Sequence, residues 1–100
     1  MAIFTGAGVA LITPMKDDMS VNYEKLAEII EFQLENKTDS IIICGTTGEA
    51  ATLTVEEHIE VIKFCCERVR GRAPVVAGTG SNCTNSAIAL SREAQEAGAD

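Results

Sequence analysis

Three short segments of the sequence combine glycine with hydroxyl or amide side chains, and each follows an apolar run. They are residues 13–14 (Thr-Pro), 45–49 (Gly-Thr-Thr-Gly-Glu) and 78–82 (Gly-Thr-Gly-Ser-Asn). Glycine lets backbone N–H groups approach a ligand closely, and hydroxyls both donate and accept hydrogen bonds. Such groups suit a small anionic ligand, either a carboxylate or a phosphate. The same residues are also common in ordinary turns, so one segment alone is weak evidence for a site.

Two titratable side chains accompany the second segment. We expect the Glu49 carboxylate to support a neighbouring backbone segment or to pair with a distant cation, rather than to act as an acid or base. His58 is the single histidine of the chain and lies on the flank of a predicted helix. A histidine in that position is more often structural or solvated than catalytic.

A Schiff-base aldolase needs a lysine amine inside a barrel, near the end of a strand. The four lysines of the chain are Lys16, Lys25, Lys37 and Lys63. Two of them fall in predicted helices and two in predicted loops. The chain therefore offers no credible imine-forming lysine among its 100 residues.

Composition and charge exclude several partners and sites. The formal net charge is −7 and aromatic residues make up 4%, which argues against nucleic acid and anionic membranes as partners. The apolar run at residues 9–12 is too short to span a bilayer, and no basic segment precedes it as in a secretory signal. Residues 45–50 and 78–80 match neither the phosphate-binding loop nor the dinucleotide-binding motif.

The cysteines do not form a metal-binding pattern. Cys44, Cys65, Cys66 and Cys83 include no C-x-x-C pair and the chain has one histidine, so we expect no metal site of the usual zinc kind. We interpret them as small buried hydrophobic residues in a reducing compartment, with the cytoplasm as the expected location.

Alternating strands and helices are predicted to position the polar segments. Short apolar runs predict strands at residues 8–12, 40–44 and 74–78, and the continuous run at 40–44 predicts a strand that is buried on both faces. Helices are predicted from Asn22 to 36, from the capping box of Thr54 and Glu57 to Gly71, and over residues 84–97. The predicted inner faces of the three helices are Leu26, Ile29, Ile30 and Leu34; Val55, Ile59, Ile62, Cys66 and Val69; and Ala87, Leu90, Ser91, Ala94 and Ala97.

This order of elements predicts an α/β fold with a parallel sheet and helical crossovers. The three polar segments then follow the carboxyl ends of the strands, where ligands bind in such folds. Three βα units leave open sheet edges. We therefore expect residues 1–100 to be the amino-terminal part of a single larger α/β domain.

Residues 45–53 (Gly-Thr-Thr-Gly-Glu-Ala-Ala-Thr-Leu), followed by Glu57 and His58, resemble the dihydrodipicolinate synthase family. Residues 4–6, 12–15 and 74–80 resemble it too, and the likeness covers all 100 residues. It implies the first three βα units of a (β/α)₈ TIM barrel. It also implies a cytoplasmic homotetramer without a cofactor, which condenses pyruvate with L-aspartate-4-semialdehyde to 4-hydroxy-tetrahydrodipicolinate in diaminopimelate and lysine biosynthesis.

The same resemblance implies roles for individual residues. Pyruvate would form an imine with a lysine on a later strand, and Thr46 would relay a proton with tyrosines from later in the chain and from a neighbouring subunit. Thr47 would hold the pyruvate carboxylate through its N–H and hydroxyl groups, with Gly48 also in the substrate-binding loop. Tyr23, the only tyrosine here, matches none of the relay tyrosines.

Many members of this family bind lysine as a feedback inhibitor at a subunit interface. Ala51, His58 and Asn82 match positions that contribute to that site. Val55 stands where sensitive members often carry histidine, and Ser86 where they often carry glutamate. Because a missing carboxylate removes a partner for the ammonium group of the ligand, we expect weak or absent inhibition by lysine.

Two other interpretations remain open at the level of sequence. One is a sister pyruvate aldolase, such as N-acetylneuraminate lyase or a 2-keto-3-deoxy sugar acid aldolase, which shares the imine chemistry. The other is a non-catalytic α/β fragment that binds a small anion. Residues 50–53 favour the synthase over the sister aldolases.

Overall fold

The structure is a computed structural model that describes residues 2–100. Its elements are β1 (Gly8–Ala10), α1 (Tyr23–Glu35), β2 (Ser40–Ile43), a 3-10 turn (Ala50–Thr52), α2 (Val55–Val69), β3 (Val75–Ala77) and α3 (Thr84–Ala97). The strands form one parallel sheet with β2 in the centre, and Ile41 pairs with Val9 on one side and Val75 on the other. The predicted α/β architecture is confirmed, although each strand is shorter than predicted.

Local capping signals set the helix boundaries as predicted. The Asn22 side chain accepts a hydrogen bond from the N–H of Lys25 at 3.0 Å and so caps α1. Thr54 and Glu57 form both hydrogen bonds of the capping box at the start of α2. These caps satisfy N–H groups that a helix leaves without intrahelical partners. The 3-10 turn, which has no such signal, was not predicted.

The inner face of α2 differs from the prediction. Val55 is 57% exposed, whereas His58, Val61 and Cys65 are buried; Ile59 and Cys66 are only half-buried. The prediction placed apolar residues inward and left the histidine on the flank. A histidine ring can lie in the core when its polar atoms are hydrogen-bonded, and His58 meets that condition, as described below.

The inner faces of α1 and α3 are narrower than predicted. Leu26 and Ile30 are fully buried in α1, and Leu90 and Ala94 are buried in α3. Ser91, predicted to face inward, is exposed. Its hydroxyl donates to the Ala87 carbonyl at 2.8 Å, so a polar group on that face is satisfied by its own helix.

The core lies between the helices and one face of the sheet. Ile41 and Ile43 are fully buried against the helices. On the opposite face, Ala10 is exposed and Ile42 is half-buried, and Ile12 just beyond β1 is 54% exposed. The prediction that β2 is buried on both faces therefore holds fully for one face only, and the sheet presents an open apolar face.

At the amino end of the sheet, two carboxylate side chains accept hydrogen bonds from backbone N–H groups. The Asp39 carboxylate accepts the N–H of Ala7 at 2.7 Å, and that of Asp100 accepts the N–H of Val75 at 3.0 Å. Backbone groups of the same segments also pair, because Ser40 N–H donates to the Ala7 carbonyl and Asp100 N–H to the Val75 carbonyl. Within the described part of the chain, residues 2–100, no helix is long and apolar enough to cross a membrane.

Candidate functional site

The segment at residues 45–49 forms a tight loop at the carboxyl end of the central strand. It lies between two residues in the left-handed conformation, Cys44 and Glu49, each with φ of 56°. Inside the loop, the Glu49 N–H donates to the Thr46 carbonyl at 2.9 Å. Residues other than glycine, Asn and Asp rarely adopt this conformation, and in this protein it bends the chain sharply at both ends of the loop.

Three successive N–H groups of this loop remain available. Those of Thr46, Thr47 and Gly48 donate to no atom of residues 2–100. The Thr46 and Thr47 side chains are exposed as well. Successive backbone donors of this kind attract an anion. The loop therefore offers N–H and hydroxyl donors to one small carboxylate.

Gly48 joins this loop to the end of β1. A Cβ atom at this position would lie 3.2 Å from both the Leu11 carbonyl oxygen and Thr13 Oγ1, and 3.3 Å from the Cys44 nitrogen. The Thr13 hydroxyl donates to the Gly48 carbonyl at 2.7 Å in a buried hydrogen bond. Glycine thus allows the loop to pack closely against the segment that follows β1.

Gly78 joins the third polar segment to the same end of β2. Its N–H donates to the Ile43 carbonyl at 2.8 Å. A Cβ atom at Gly78 would overlap the Cys44 carbonyl group. The three segments predicted from sequence to share one edge of the sheet therefore do so, with the loop at residues 45–49 in the middle.

His58 connects α2 to the segment at residues 78–82 and to Cys44, which directly precedes the loop at residues 45–49. It is 5% exposed, and its Nε2 lies 2.6 Å from the Gly78 carbonyl oxygen. A carbonyl only accepts, so Nε2 carries a proton and donates it. The Cys44 thiol in turn donates to the His58 carbonyl at 3.7 Å. Burial raises the pKa of this thiol to about 12, which keeps its proton in place at neutral pH. The burial and the hydrogen bond of His58 favour the structural role over the solvated one, and its match to an inhibitor site stays a prediction.

The other predicted residues are distributed around this edge. Ala51 and Asn82 are exposed, whereas His58 is buried beneath the Gly78 segment. Glu49 is exposed and its side chain makes no capping hydrogen bond to the 3-10 turn. The capping alternative is therefore wrong for this turn, and pairing of Glu49 with a distant cation stays a prediction. At Glu49 the backbone makes the local hydrogen bond instead, because its N–H donates to the Thr46 carbonyl. Within residues 2–100, no three His, Cys, Asp or Glu side chains are grouped to hold a metal ion.

The sequence prediction gave no role to Thr13, although the structure places its hydroxyl in the site. The segment at residues 13–14 was singled out for its position after a strand. The available sequence signal was a threonine directly after a predicted strand. What it contacts depends on a residue 35 positions later in the chain.

A family model for the dihydrodipicolinate synthetase family matches residues 3–100. The chain belongs to this family. The 4-hydroxy-tetrahydrodipicolinate synthase of Lachnoclostridium phytofermentans is 69% identical over 100 residues, which are all of this chain and 34% of that protein. The chain thus spans about a third of the length of the curated relatives it matches.

Solved structures of dihydrodipicolinate synthases share this fold. The enzyme from Aquifex aeolicus is 54% identical with a TM-score of 0.94, over 97% of this chain and 33% of that one. The chloride-inhibited enzyme from Acinetobacter baumannii, solved as a complex with pyruvate, is 44% identical with a TM-score of 0.95, over 99% of this chain and 34% of that one. The prediction that the chain folds as three βα units of a TIM barrel of this family is confirmed.

Proposed function

We propose that this chain supplies the amino-terminal third of a class I, Schiff-base lyase with a single TIM-barrel domain. The reaction proposed for the full-length protein condenses pyruvate with L-aspartate-4-semialdehyde to 4-hydroxy-tetrahydrodipicolinate, in diaminopimelate and lysine biosynthesis. Membership of the dihydrodipicolinate synthetase family and the name of the relative with 69% identity support this reaction. The relatives do not favour a sister aldolase or a non-catalytic fragment.

The observation that carries the proposal is the set of open donors at residues 46–48. The pyruvate complex of the 44% identical Acinetobacter baumannii enzyme supports pyruvate as the ligand. We assign the pyruvate carboxylate to the N–H and hydroxyl of Thr47 and the N–H of Gly48. Backbone donors held in place before the ligand arrives bind a carboxylate without reorganising.

Thr46 is proposed as the catalytic residue of this chain. Its exposed hydroxyl can pass a proton onward only between aligned partners on both sides. Those partners would be tyrosines from later in the chain and from a neighbouring subunit of a homotetramer. The chemistry begins with loss of water between a lysine amine and the pyruvate ketone, which forms the imine. That lysine would also come from beyond residue 100, because Lys16, Lys25, Lys37 and Lys63 all lie outside the three strands.

The four cysteines support a reducing environment such as the cytoplasm. All are free thiols, and burial raises the pKa of Cys44 and Cys65 to about 12. Such thiols are not reactive nucleophiles at neutral pH, so we assign Cys44 and Cys65 to packing. Cys66 is half-buried and Cys83 is exposed, so the prediction that all four cysteines are buried is wrong for Cys83.

Reductive trapping tests the proposed function. The full-length protein is incubated with pyruvate, then with borohydride, and its intact mass is measured. The proposal predicts one reduced pyruvate adduct per chain, together with turnover when aspartate-4-semialdehyde is added. An unmodified mass would contradict the imine chemistry, and an adduct with turnover only on sugar-derived aldehydes would point to a sister aldolase.

A further inference from the structure

Thr13 is a buried polar residue at the carboxyl end of the sheet with no part in the chemistry proposed above. It is 2% exposed, and its hydroxyl donates to the Gly48 carbonyl at 2.7 Å. A buried hydrogen bond of this kind is costly to break, because the partner that remains loses its only compensation for desolvation. The bond links the segment after β1 to the donor loop, which we define as residues 45–49.

The donor loop has few other internal constraints. The N–H groups of residues 46–48 bond to nothing within the described chain. The backbone bonds within the loop are those from the Glu49 N–H to the Thr46 carbonyl, at 2.9 Å, and from the Ala50 N–H to the Gly45 carbonyl, at a longer 3.4 Å. Gly48 is the buried residue of this loop, while Thr46, Thr47 and Glu49 are exposed. The fixed point of the loop is therefore Gly48, where the Thr13 hydroxyl holds the carbonyl.

The direction of the Gly48 carbonyl affects its neighbours because a peptide unit is planar. Holding this oxygen also orients the Glu49 N–H, which closes the turn onto Thr46. The Gly48 backbone is in addition enclosed by the Leu11 carbonyl and the Cys44 nitrogen. A rotation of the Gly48 peptide would thus change the positions of the Thr46 and Thr47 donors together.

We propose that Thr13 is a positioning residue: its buried hydroxyl holds the Gly48 carbonyl and thereby sets the geometry of the donors that receive pyruvate. This inference rests on the proposed function, since it requires pyruvate to bind the donor loop. It assigns no contact between Thr13 and pyruvate.

The test compares four variants of the full-length protein. Thr13→Val removes the donor and keeps the branched shape, Thr13→Ser keeps the hydroxyl, and Thr13→Cys replaces it with a weaker donor. Thr38→Val is the matched control, because Thr38 also donates its hydroxyl to a backbone carbonyl, that of Ser40 at 3.3 Å, but at the amino end of the sheet. Each variant is assayed for the pyruvate dependence of borohydride trapping and of turnover, and for thermal unfolding.

We expect Thr13→Val to lower kcat/KM for pyruvate about 10- to 100-fold, as small misplacements of binding groups do. The KM for aspartate-4-semialdehyde should stay within about twofold of the wild type. Thr13→Ser should retain most of the wild-type kcat/KM for pyruvate, and the value for Thr13→Cys should lie between those of Thr13→Ser and Thr13→Val. The control Thr38→Val should have the wild-type value. If Thr13→Val does not fold, the difference between Thr13→Ser and Thr13→Cys decides the question.

Two results would overturn the inference in distinguishable ways. A wild-type protein that forms no pyruvate adduct overturns the proposed function and this inference with it. A wild-type protein that forms the adduct, alongside folded Thr13 variants that differ from it only in thermal unfolding, leaves the proposed function standing and reduces Thr13 to a structural role.

Discussion

The two ends of the parallel sheet differ in whether the N–H groups of their loop segments are hydrogen-bonded. At the amino end, carboxylates of Asp39 and Asp100 accept N–H groups of Ala7 and Val75 at 2.7 and 3.0 Å. At the carboxyl end, the N–H groups of residues 46–48 find no partner within residues 2–100. Both ends belong to the same three strands, so the difference lies in the segments that precede and follow those strands.

Ion pairing strengthens the same contrast. Near the amino end, the Arg72 guanidinium holds both oxygens of the Glu31 carboxylate, at 2.7 and 3.1 Å, and so links α1 to the segment after α2. At the carboxyl end, Glu49 is exposed and its side chain makes no capping bond. The amino end pairs its charged and polar groups internally, while the carboxyl end leaves N–H and hydroxyl donors exposed. This division is typical of TIM barrels.

The largest expected effect comes from removing the proposed relay hydroxyl at the carboxyl end. Thr46→Val in the full-length protein should lower kcat about 100-fold or more, in the range typical of acid–base groups. The pyruvate adduct should still form, because the imine lysine is a different residue. Steady-state kinetics and intact mass after borohydride measure the two quantities, with Thr38→Val as control. A kcat of Thr46→Val equal to that of the wild type would contradict a relay role for this hydroxyl, and with it the functional difference between the two ends of the sheet.

The close approach of the Gly78 segment to β2 gives a prediction about stability. Gly78→Ala places a methyl group where the Cys44 carbonyl lies, and overpacking of this kind costs about 1–3 kcal/mol. Gly80→Ala is the matched control, since its Cβ would meet nothing within 4 Å. Urea unfolding of the full-length variants should show a large loss for Gly78→Ala only. Equal stability of the two variants would contradict the close packing at this edge.

The amino-end ion pair gives a pH-dependent prediction. The hydrogen bond from Arg72 lowers the pKa of Glu31 below its ordinary value of 4.5. A lowered pKa contributes stability above the unfolded-state value, and that contribution is lost as the pH falls through the folded-state value. The melting temperature of the wild type should therefore exceed that of Glu31→Gln at neutral pH and approach it below pH 4.5. A difference that persists unchanged in acid would assign the effect to packing instead of charge.

The smallest expected effect concerns lysine. The resemblance described above predicts that Ala51, His58 and Asn82 match an inhibitor site, and that Val55 and Ser86 stand in place of residues expected in lysine-sensitive members. His58 is in addition buried, with its Nε2 on the Gly78 carbonyl. Titration of the full-length protein with lysine should leave its rate nearly unchanged. Strong inhibition at sub-millimolar lysine would show that the carboxyl-end loops serve a second ligand.

Sequence alone was sufficient for the ends of helices that carry a local capping signal. The caps at Asn22 and Thr54 and the stop at Gly98 are readable because each involves residues within four positions along the chain. The order of apolar runs gave the parallel sheet, and the glycine- and threonine-rich segments gave the site at its carboxyl end.

Other features depended on distant contacts and were missed. The inward turn of His58 requires the Gly78 carbonyl, 20 residues later, and the role of Thr13 requires Gly48, 35 residues later. The left-handed backbone at Cys44 and Glu49 also has no local sequence signal, because neither residue type favours that conformation. Residue propensity and hydrophobic periodicity relate residues within one helix or strand, so they cannot predict contacts between distant segments of the chain.

Hydrogen exchange of the full-length protein with and without pyruvate tests the central claim most directly. The open N–H groups of Thr47 and Gly48 should exchange more slowly when pyruvate is bound, because the carboxylate assigned to them then accepts their hydrogen bonds. The amides of Ala7 and Val75, already bonded at the amino end, should be unaffected. Protection that is absent from Thr47 and Gly48, while pyruvate is bound, would contradict the assignment of the donor loop as the carboxylate site.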